Sequence, residues 1–397
     1  MLNNRFLRYT LFALLYFTQG TVLSYFTSLN ALYLLGRGVT LTNIGIFGTI
    51  AMIPFVLKIF LGMLSDKINL FGMGYRKPYI IIGLFIQAAC LVAVPFIDPG
   101  KYFALFVGLA FTLQLGMALY DTCTDGLALD TTPAAESSLI QGFMVGGRAV
   151  GVIVTASVVG LLADKASWNA VFWLLAGLTL IPLPLVLAAR EAPRPQVRQF
   201  EWKAFGAFKK VSVIALAGLG LLFFLIIAGA NQLVNPYLTE RFQISLSTAG
   251  LVTTVWGLGV ITGSLAGGYI MRRVGDKVIT WITMAIGVVA LGFLAFVPSL
   301  PLMWVAAALF GLCYGTYQTV YFALAMKNTD QRIAASMFAI LMAVSNIGQA
   351  IGMGLGGALA ENSSYQMAFL VLAAVNILVI PLMPLIFRKS SSSIPVA

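Results

Sequence analysis

Apolar runs of about 20 residues or more recur along almost the whole chain, and no other feature narrows its fold as much. Twelve can be read, at roughly 7–35, 41–64, 78–97, 102–130, 138–163, 168–189, 211–239, 246–271, 278–298, 302–326, 334–360 and 365–387. Each is long enough to cross a bilayer as a helix, the one form that satisfies its own backbone within a single segment. Of the 397 residues, 60% are hydrophobic and 9% are charged, more apolar surface than a water-soluble fold can hide. The expectation is an all-α polytopic membrane protein of twelve transmembrane helices, with the lipid bilayer as its solvent. The first run is too long for a cleavable leader and reads as a spanning helix.

Charge placement orients these helices. With the N-terminus in the cytoplasm, the cytoplasmic side holds Arg5, Arg8, Lys67, Arg76, Lys77, Arg190, Arg194, Arg198, Lys203, Lys209, Lys210, Arg272, Arg273, Lys277, Lys327, Arg332, Arg388 and Lys389. Only Arg37, Lys101, Lys165 and Arg241 fall outside. That asymmetry is the positive-inside pattern, and it puts both termini in the cytoplasm; the membrane expected is the plasma (bacterial inner) membrane. The net charge of +11 thus reports topology; no soluble basic domain exists to bind nucleic acid. Cys90, Cys123 and Cys313 lie inside apolar runs and read as packing residues, with no disulfide framework or metal site. The glycine-rich stretches "GGRAVG" and "GMGLGGALA" suit close helix packing. No strand precedes them and no Gly-Lys-Ser/Thr follows, so they are not phosphate loops. With no nucleophile constellation or nucleotide motif either, the sequence calls for neither an enzyme nor a cofactor.

The chain repeats itself. "GLLADKASWNAVFWLLAGL" (160–178) aligns without gaps to "GALAENSSYQMAFLVLAAV" (357–375), so Asp164 meets Glu361, Trp168 meets Tyr365 and Phe172 meets Phe369. "LTNIG" (41–45) aligns with "LSTAG" (246–250). The long polar stretch "REAPRPQVRQFEWKAFGAFKK" divides the copies. The reading is a six-helix bundle over 1–189, a cytoplasmic linker over 190–210 and a second bundle over 211–397, with a solute site at midplane between them. Within the linker, "FEWKAFGAFKK" suits a short amphipathic helix on the inner leaflet.

Charges inside the apolar runs need a partner or a water-filled cavity. Asp121 and Asp125, spaced i and i+4, share one face of the fourth run, and Gln114 extends it. Arg148 lies in the fifth run. At about 1.5 Å per residue both Asp121 and Arg148 sit about 15 Å from the cytoplasmic side, so an Asp121–Arg148 ion pair is expected. Either aspartate is a candidate for proton coupling, because a chain without histidine must use a carboxylate as its near-neutral switch. Arg148 is equally a candidate to bind an anionic group of the solute. A purely structural pair remains the alternative. Lys58 reads as a residue near the inner interface whose amine snorkels to the headgroups.

The loop "GMLSDKINLFGMGYRKPYI" (62–80) resembles the signature between the second and third helices of the major facilitator superfamily, with Gly62, Leu64, Asp66, Lys67, Gly74, Arg76 and Lys77 in its positions and about six residues inserted. "GGYIMRRVGDKV" (267–278), with Arg272 and Arg273, is a degenerate second copy. "FGMGYRKPY" is similar to a loop of folate–biopterin transporters, and "YDTCTDGLALD" to a stretch of acetyl-CoA transporters and muropeptide permeases, with Tyr120 replacing a Gln. The resemblance implies two pseudo-symmetric six-helix bundles of the major facilitator fold. It also implies a cavity lined by helices one, four, seven and ten. Candidates for substrate contact are then Gln19, Tyr25, Asn30, Gln114, Asn231, Asn235, Tyr317, Gln318, Tyr321 and, on helix eleven, Asn346. Tyr314, Tyr317 and Tyr321 share a stripe on which a planar solute could stack, and Pro236 can break helix seven. Gly62 allows close helix approach. Asp66 suits the positive N-terminus of the helix opening near Ala334. Arg76 and Lys77 suit Asp130 or Glu136. Together they are expected to form a cytoplasmic gate that latches while the carrier faces outward; the alternative is that they are solvated charges that only set topology.

The function expected is a monomeric secondary active transporter that moves a small organic solute, anionic or zwitterionic, with protons, by alternating access. The rivals are an exporter of amphipathic drugs or lipids, and a non-transporting assembly factor on the same fold.

Overall fold

A computed structural model describes residues 4–26, 30–165, 167–191, 200–244 and 246–387. Arg194, Arg198, Arg388 and Lys389, the linker stretch 192–199 and the side chains of Asp164 and Lys165 lie outside the described residues.

The first expected span holds α1 (Arg5–Ser24) and α2 (Asn30–Gly36). Then follow α3 (Leu41–Lys67), α4 (Lys77–Ala93), α5 (Phe103–Thr131) and α6 (Ser137–Lys165). The sixth span is α7 (Trp168–Leu180) with α8 (Leu183–Ala188). The second half is α9 (Val211–Phe242), α10 (Leu246–Val274), α11 (Asp276–Ala295), α12 (Leu300–Lys327) and α13 (Ala334–Asn362). The last span is α14 (Tyr365–Ala374), a 3-10 segment over Val375–Leu382, and α15 (Met383–Ile386). Among the described residues 11 helical segments are long and apolar enough to cross a membrane; the first expected span is interrupted by residues 27–29, which are not described. No strand occurs among the described residues.

The internal repeat is visible in the packing. In the first half α1 lies on α6, α3 on α5 and α4 on α7; in the second α9 lies on α13, α10 on α12 and α11 on α14. Local chemistry repeats with it. Ser167 and Ser364, matched in the alignment, are both extended N-cap residues, their hydroxyls accepting from the amides of Ala170 and Met367. Tyr33 packs on Trp168 and Phe172 at ring-centroid distances of 5.2 and 5.1 Å. Tyr237 packs on Tyr365 and Phe369 at 5.6 and 5.4 Å. The two bundles carry the same aromatic joint.

Two local expectations change. Pro236 sits inside α9 without ending it, so the helix is not broken there, and the ring withholds only the one N–H that the Gln232 carbonyl would otherwise accept from. The linker segment Trp202–Lys209 is a 3-10 helix whose aromatic row, Phe200, Trp202, Phe205 and Phe208, packs ring on ring.

The bundles meet along two seams. In one, α6 packs on α10, with Gly142 against the Ser264 carbonyl and Gly268 against Ser138. In the other, α3 meets α13 at Gly62, where a Cβ would lie 3.0 Å from the Ala335 carbonyl carbon and the Ser336 Cα. Further along these two helices Met52, Ile53 and Val56 of α3 and Asn346, Gln349 and Met353 of α13 are exposed. The two helices approach closely at the end bearing the basic loops.

Candidate functional site

The interior polar residues assemble around α1. Asp121 of α5 is 2% exposed and is ion-paired with Lys58 of α3, itself 7% exposed. Gln19 of α1 donates to the other Asp121 oxygen at 3.0 Å. One turn further along α5, Asp125 accepts from the Tyr16 hydroxyl of α1 at 2.5 Å. The spacing that puts both carboxylates on one helix face thus points them at α1, and α3 supplies the neutralising ammonium.

Arg148 of α6, on the far side of Tyr16 from Asp125, turns to the other bundle. Its guanidinium donates to Gln318 Oε1 of α12, across the bundle interface, at 2.5 Å. The rings of Tyr16 and Phe322 flank it, with centroids at 5.8 and 5.9 Å. No carboxylate comes within ion-pair distance of Arg148 among the described residues. The expected Asp121–Arg148 pair is therefore corrected. The two residues lie at similar depths, but α1 packs between α5 and α6, so the helices carrying them present different faces to it. Lys58 is corrected with it: the amine turns inward to a carboxylate, which compensates a buried ammonium better than any route along the helix to the headgroups.

The other candidates are scattered. Tyr317 and Tyr321 are fully buried within the second bundle; one hydroxyl donates to Asn376 at 2.7 Å and the other to the Leu341 carbonyl at 2.9 Å. They pack helices together and do not form the open stacking stripe expected of them. Tyr25 donates to Asn30 at 3.3 Å inside the first bundle, and Gln114 is buried there with its amide oxygen unpartnered. Asn235 donates to Thr253 at 2.9 Å, tying α9 to α10. Asn231 and Asn346 are exposed.

At the end bearing the basic loops the charges are assembled tightly. Asp66, wholly buried, accepts from the Ala335 amide at 3.2 Å, the Ser336 amide at 2.8 Å and the Ser336 hydroxyl at 2.6 Å, at the N-terminus of α13 in the other bundle. Arg76, equally buried, bridges Asp66 at 2.5 Å, the Ser65 hydroxyl at 2.7 Å and Asp130 at 3.0 Å. Glu136 is not part of this cluster; it pairs with Arg8, Tyr9 and Arg5 at the start of α1, because its turn directly precedes α6 and α6 packs on α1. Lys77 caps carbonyls, donating to Leu187 at 2.6 Å and Ala189 at 2.9 Å. Lys67 is exposed beside the Trp202 ring. Arg272 and Arg273 are exposed, and among the described residues Arg273 donates to its own helix neighbour Tyr269 at 3.0 Å, so no cluster matching that of Asp66 and Arg76 forms there.

Sequence reading missed Glu191. Its carboxylate accepts from the amides of Tyr75 and Arg76, each at 2.9 Å, and of Lys77, capping the start of α4. Gly74, at φ +124°, lies so close that a Cβ would stand 2.6 Å from the Glu191 carboxyl carbon. A glutamate one residue into a linker carries no signal of this; only the fold brings it back to the loop.

A multi-pass helical protein with two matched bundles and buried charges at their interface belongs to the class of membrane transporters. The chain is a member of the Major Facilitator Superfamily, whose model matches residues 9–332 and again 216–396. It is 25% identical over 357 residues to the anhydromuropeptide permease of Escherichia coli K12, covering 84% of this chain and 68% of the permease. It is 28% identical over 223 residues to a folate-biopterin transporter of Synechocystis, covering 52% and 43%. Both are among the groups its loop motifs resemble. In fold it is similar to the human organic anion transporter MFSD10, with a TM-score of 0.74 at 13% identity, covering 95% of this chain and 98% of that one.

Proposed function

We propose that the protein is a monomeric, proton-coupled transporter of a small anionic or zwitterionic organic solute, working by alternating access in a bacterial inner membrane with both termini cytoplasmic. Bundles 1–189 and 211–397 rock about the interface, joined by the linker 190–210. The observation that carries this reading is Arg148: a guanidinium at the interface of the two bundles, free of any carboxylate in ion-pair reach among the described residues and walled by two aromatic rings. A half-buried cation of this kind is suited to an oxyanion.

Asp125 and Asp121 lie one helical turn apart beside it. Lys58 neutralises Asp121, which leaves Asp125, held among the described residues by one tyrosine hydroxyl, as the carboxylate better suited to gain and lose a proton. Protonating it would remove a negative charge facing the Arg148 region and so favour an incoming anion, which is the linkage a symporter needs. The Asp66–Arg76–Asp130 cluster, docked on the start of α13, serves as the latch that seals the cytoplasmic end while the other end is open. The permease among its relatives is named for an anhydromuropeptide, and a carboxylate-bearing solute of that kind suits the Arg148 site.

Uptake into proteoliposomes tests the reading. An inside-alkaline pH gradient should drive accumulation of an anhydromuropeptide in the wild type, and Asp125→Asn should abolish the response to the gradient. Accumulation at the wild-type rate and with the wild-type gradient dependence in Asp125→Asn would refute coupling through this residue.

A further inference from the structure

Arg148 is held by a neutral group from the opposite bundle. Gln318 is 4% exposed, and its amide oxygen accepts from the Arg148 guanidinium at 2.5 Å. That oxygen carries only a partial negative charge, whereas guanidinium binds carboxylate and phosphate oxygens more strongly and in matched pairs. The Tyr16 and Phe322 rings cover the flanks of the guanidinium, so a ligand approaches along its N–H directions, one of which Gln318 already takes.

We propose that Gln318 occupies, from the second bundle, the place on Arg148 that an oxyanion of the solute takes. Gln318 is then a placeholder. While the site is empty, its oxygen satisfies the arginine and links α6 to α12 across the interface. When the solute's carboxylate arrives, the stronger acceptor displaces the amide and the link between the bundles is released. Binding is thereby tied to the freedom of the bundles to move, without any covalent step. The inference rests on the reading of Arg148 as the anion contact and adds the residue that competes for it.

The test uses the purified full chain and acetate as the probe, so it needs no knowledge of the natural solute. Gln318→Ala removes the placeholder and leaves room for a small carboxylate. Its melting temperature should rise by about 1–2 °C in roughly 100 mM potassium acetate relative to the same concentration of chloride, with a smaller rise in the wild type. The Arg148→Gln/Gln318→Ala double variant should show no acetate-specific rise. Gln318→Glu keeps the side chain's shape and supplies the oxyanion from the protein itself, so it should melt at or above the wild type and ignore acetate. An acetate response in Gln318→Ala no larger than that of the wild type, or one retained in the double variant, overturns the proposal. So does a Gln318→Glu protein that melts below the wild type. The acetate response reports the subsite alone, while solute binding to Arg148→Gln judges the cargo reading, so the two fail separately.

Discussion

Replacing Lys58 by Met should destabilise the protein far more than the loss of a surface charge would. The Lys58 and Asp121 side chains are 9% and 3% exposed, and they are paired directly inside the first bundle. Removing the ammonium leaves a buried carboxylate with only the Gln19 amide, at 3.0 Å, to compensate it among the described residues. Breaking one partner of a buried pair costs about 3–5 kcal/mol, because the orphaned charge keeps its desolvation penalty. Removing both partners together, as Lys58→Met/Asp121→Leu, should cost less than Lys58→Met alone, since no charge is left uncompensated. Unfolding in mixed micelles, followed by tryptophan fluorescence at neutral pH, gives the four free energies of a double-mutant cycle. The coupling expected between Lys58 and Asp121 is at least about 2 kcal/mol. A parallel cycle on Arg148 and Asp121 should give a clearly smaller value, since α1 stands between their helices. Strict additivity for Lys58 and Asp121, or a stronger coupling of Asp121 to Arg148, would refute the assignment of partners.

Three further outcomes follow from the end bearing the basic loops. Gly62→Leu places a side chain where even a Cβ lies 3.0 Å from the Ala335 carbonyl carbon, so the seam between α3 and α13 should open; spin labels at Ile68 and Lys327 should report longer distances, and an unchanged distribution would contradict this. Glu191→Gln keeps the shape but removes the charge that accepts three amides at the start of α4, and should cost about 1–3 kcal/mol in the same unfolding assay; a cost near zero would show the carboxylate cap to be idle. The Arg332 hydrogen bonds, at 3.1 and 2.8 Å, hold the Asp330 carboxyl below the ordinary carboxylate range. A depressed value means that its stabilisation is present at neutral pH and is lost only as the pH falls through that value, so the deficit of Asp330→Asn should be full at pH 7 and shrink below about pH 4. A deficit that does not change with pH would contradict it.

The spans were legible because membrane helices announce themselves by length and apolarity, and the repeat because matched residues such as Ser167 and Ser364 do the same job in each half. The contacts of Asp66 with the start of α13 and of Arg76 with Asp130 were legible for a related reason. Asp66 and Arg76 stand at helix ends, where sequence position fixes which end of the molecule a residue occupies. Neighbours inside the bundle were not legible. Depth can be counted along a helix, but azimuth needs to know which helix lies beside which, and nothing in the sequence says that α1 separates α5 from α6. Asp121 and Arg148 share a depth but not a facing side, and the partner that draws Lys58 inward sits on another helix, out of sight of the local sequence. Tyr317 and Tyr321 failed for the same reason: a helical stripe of tyrosines looks alike whether it faces a cavity or, as here, Asn376 and a backbone carbonyl.

The central claim is an anion site at Arg148, and equilibrium binding tests it most directly. An anhydromuropeptide would be titrated into the purified protein and into its Arg148→Gln variant, with folding of both confirmed by melting. Saturable binding to the wild type is expected, weakened by about ten- to a hundred-fold in the variant, the worth of one or more charge-assisted hydrogen bonds. Equal affinity in the two proteins would contradict it.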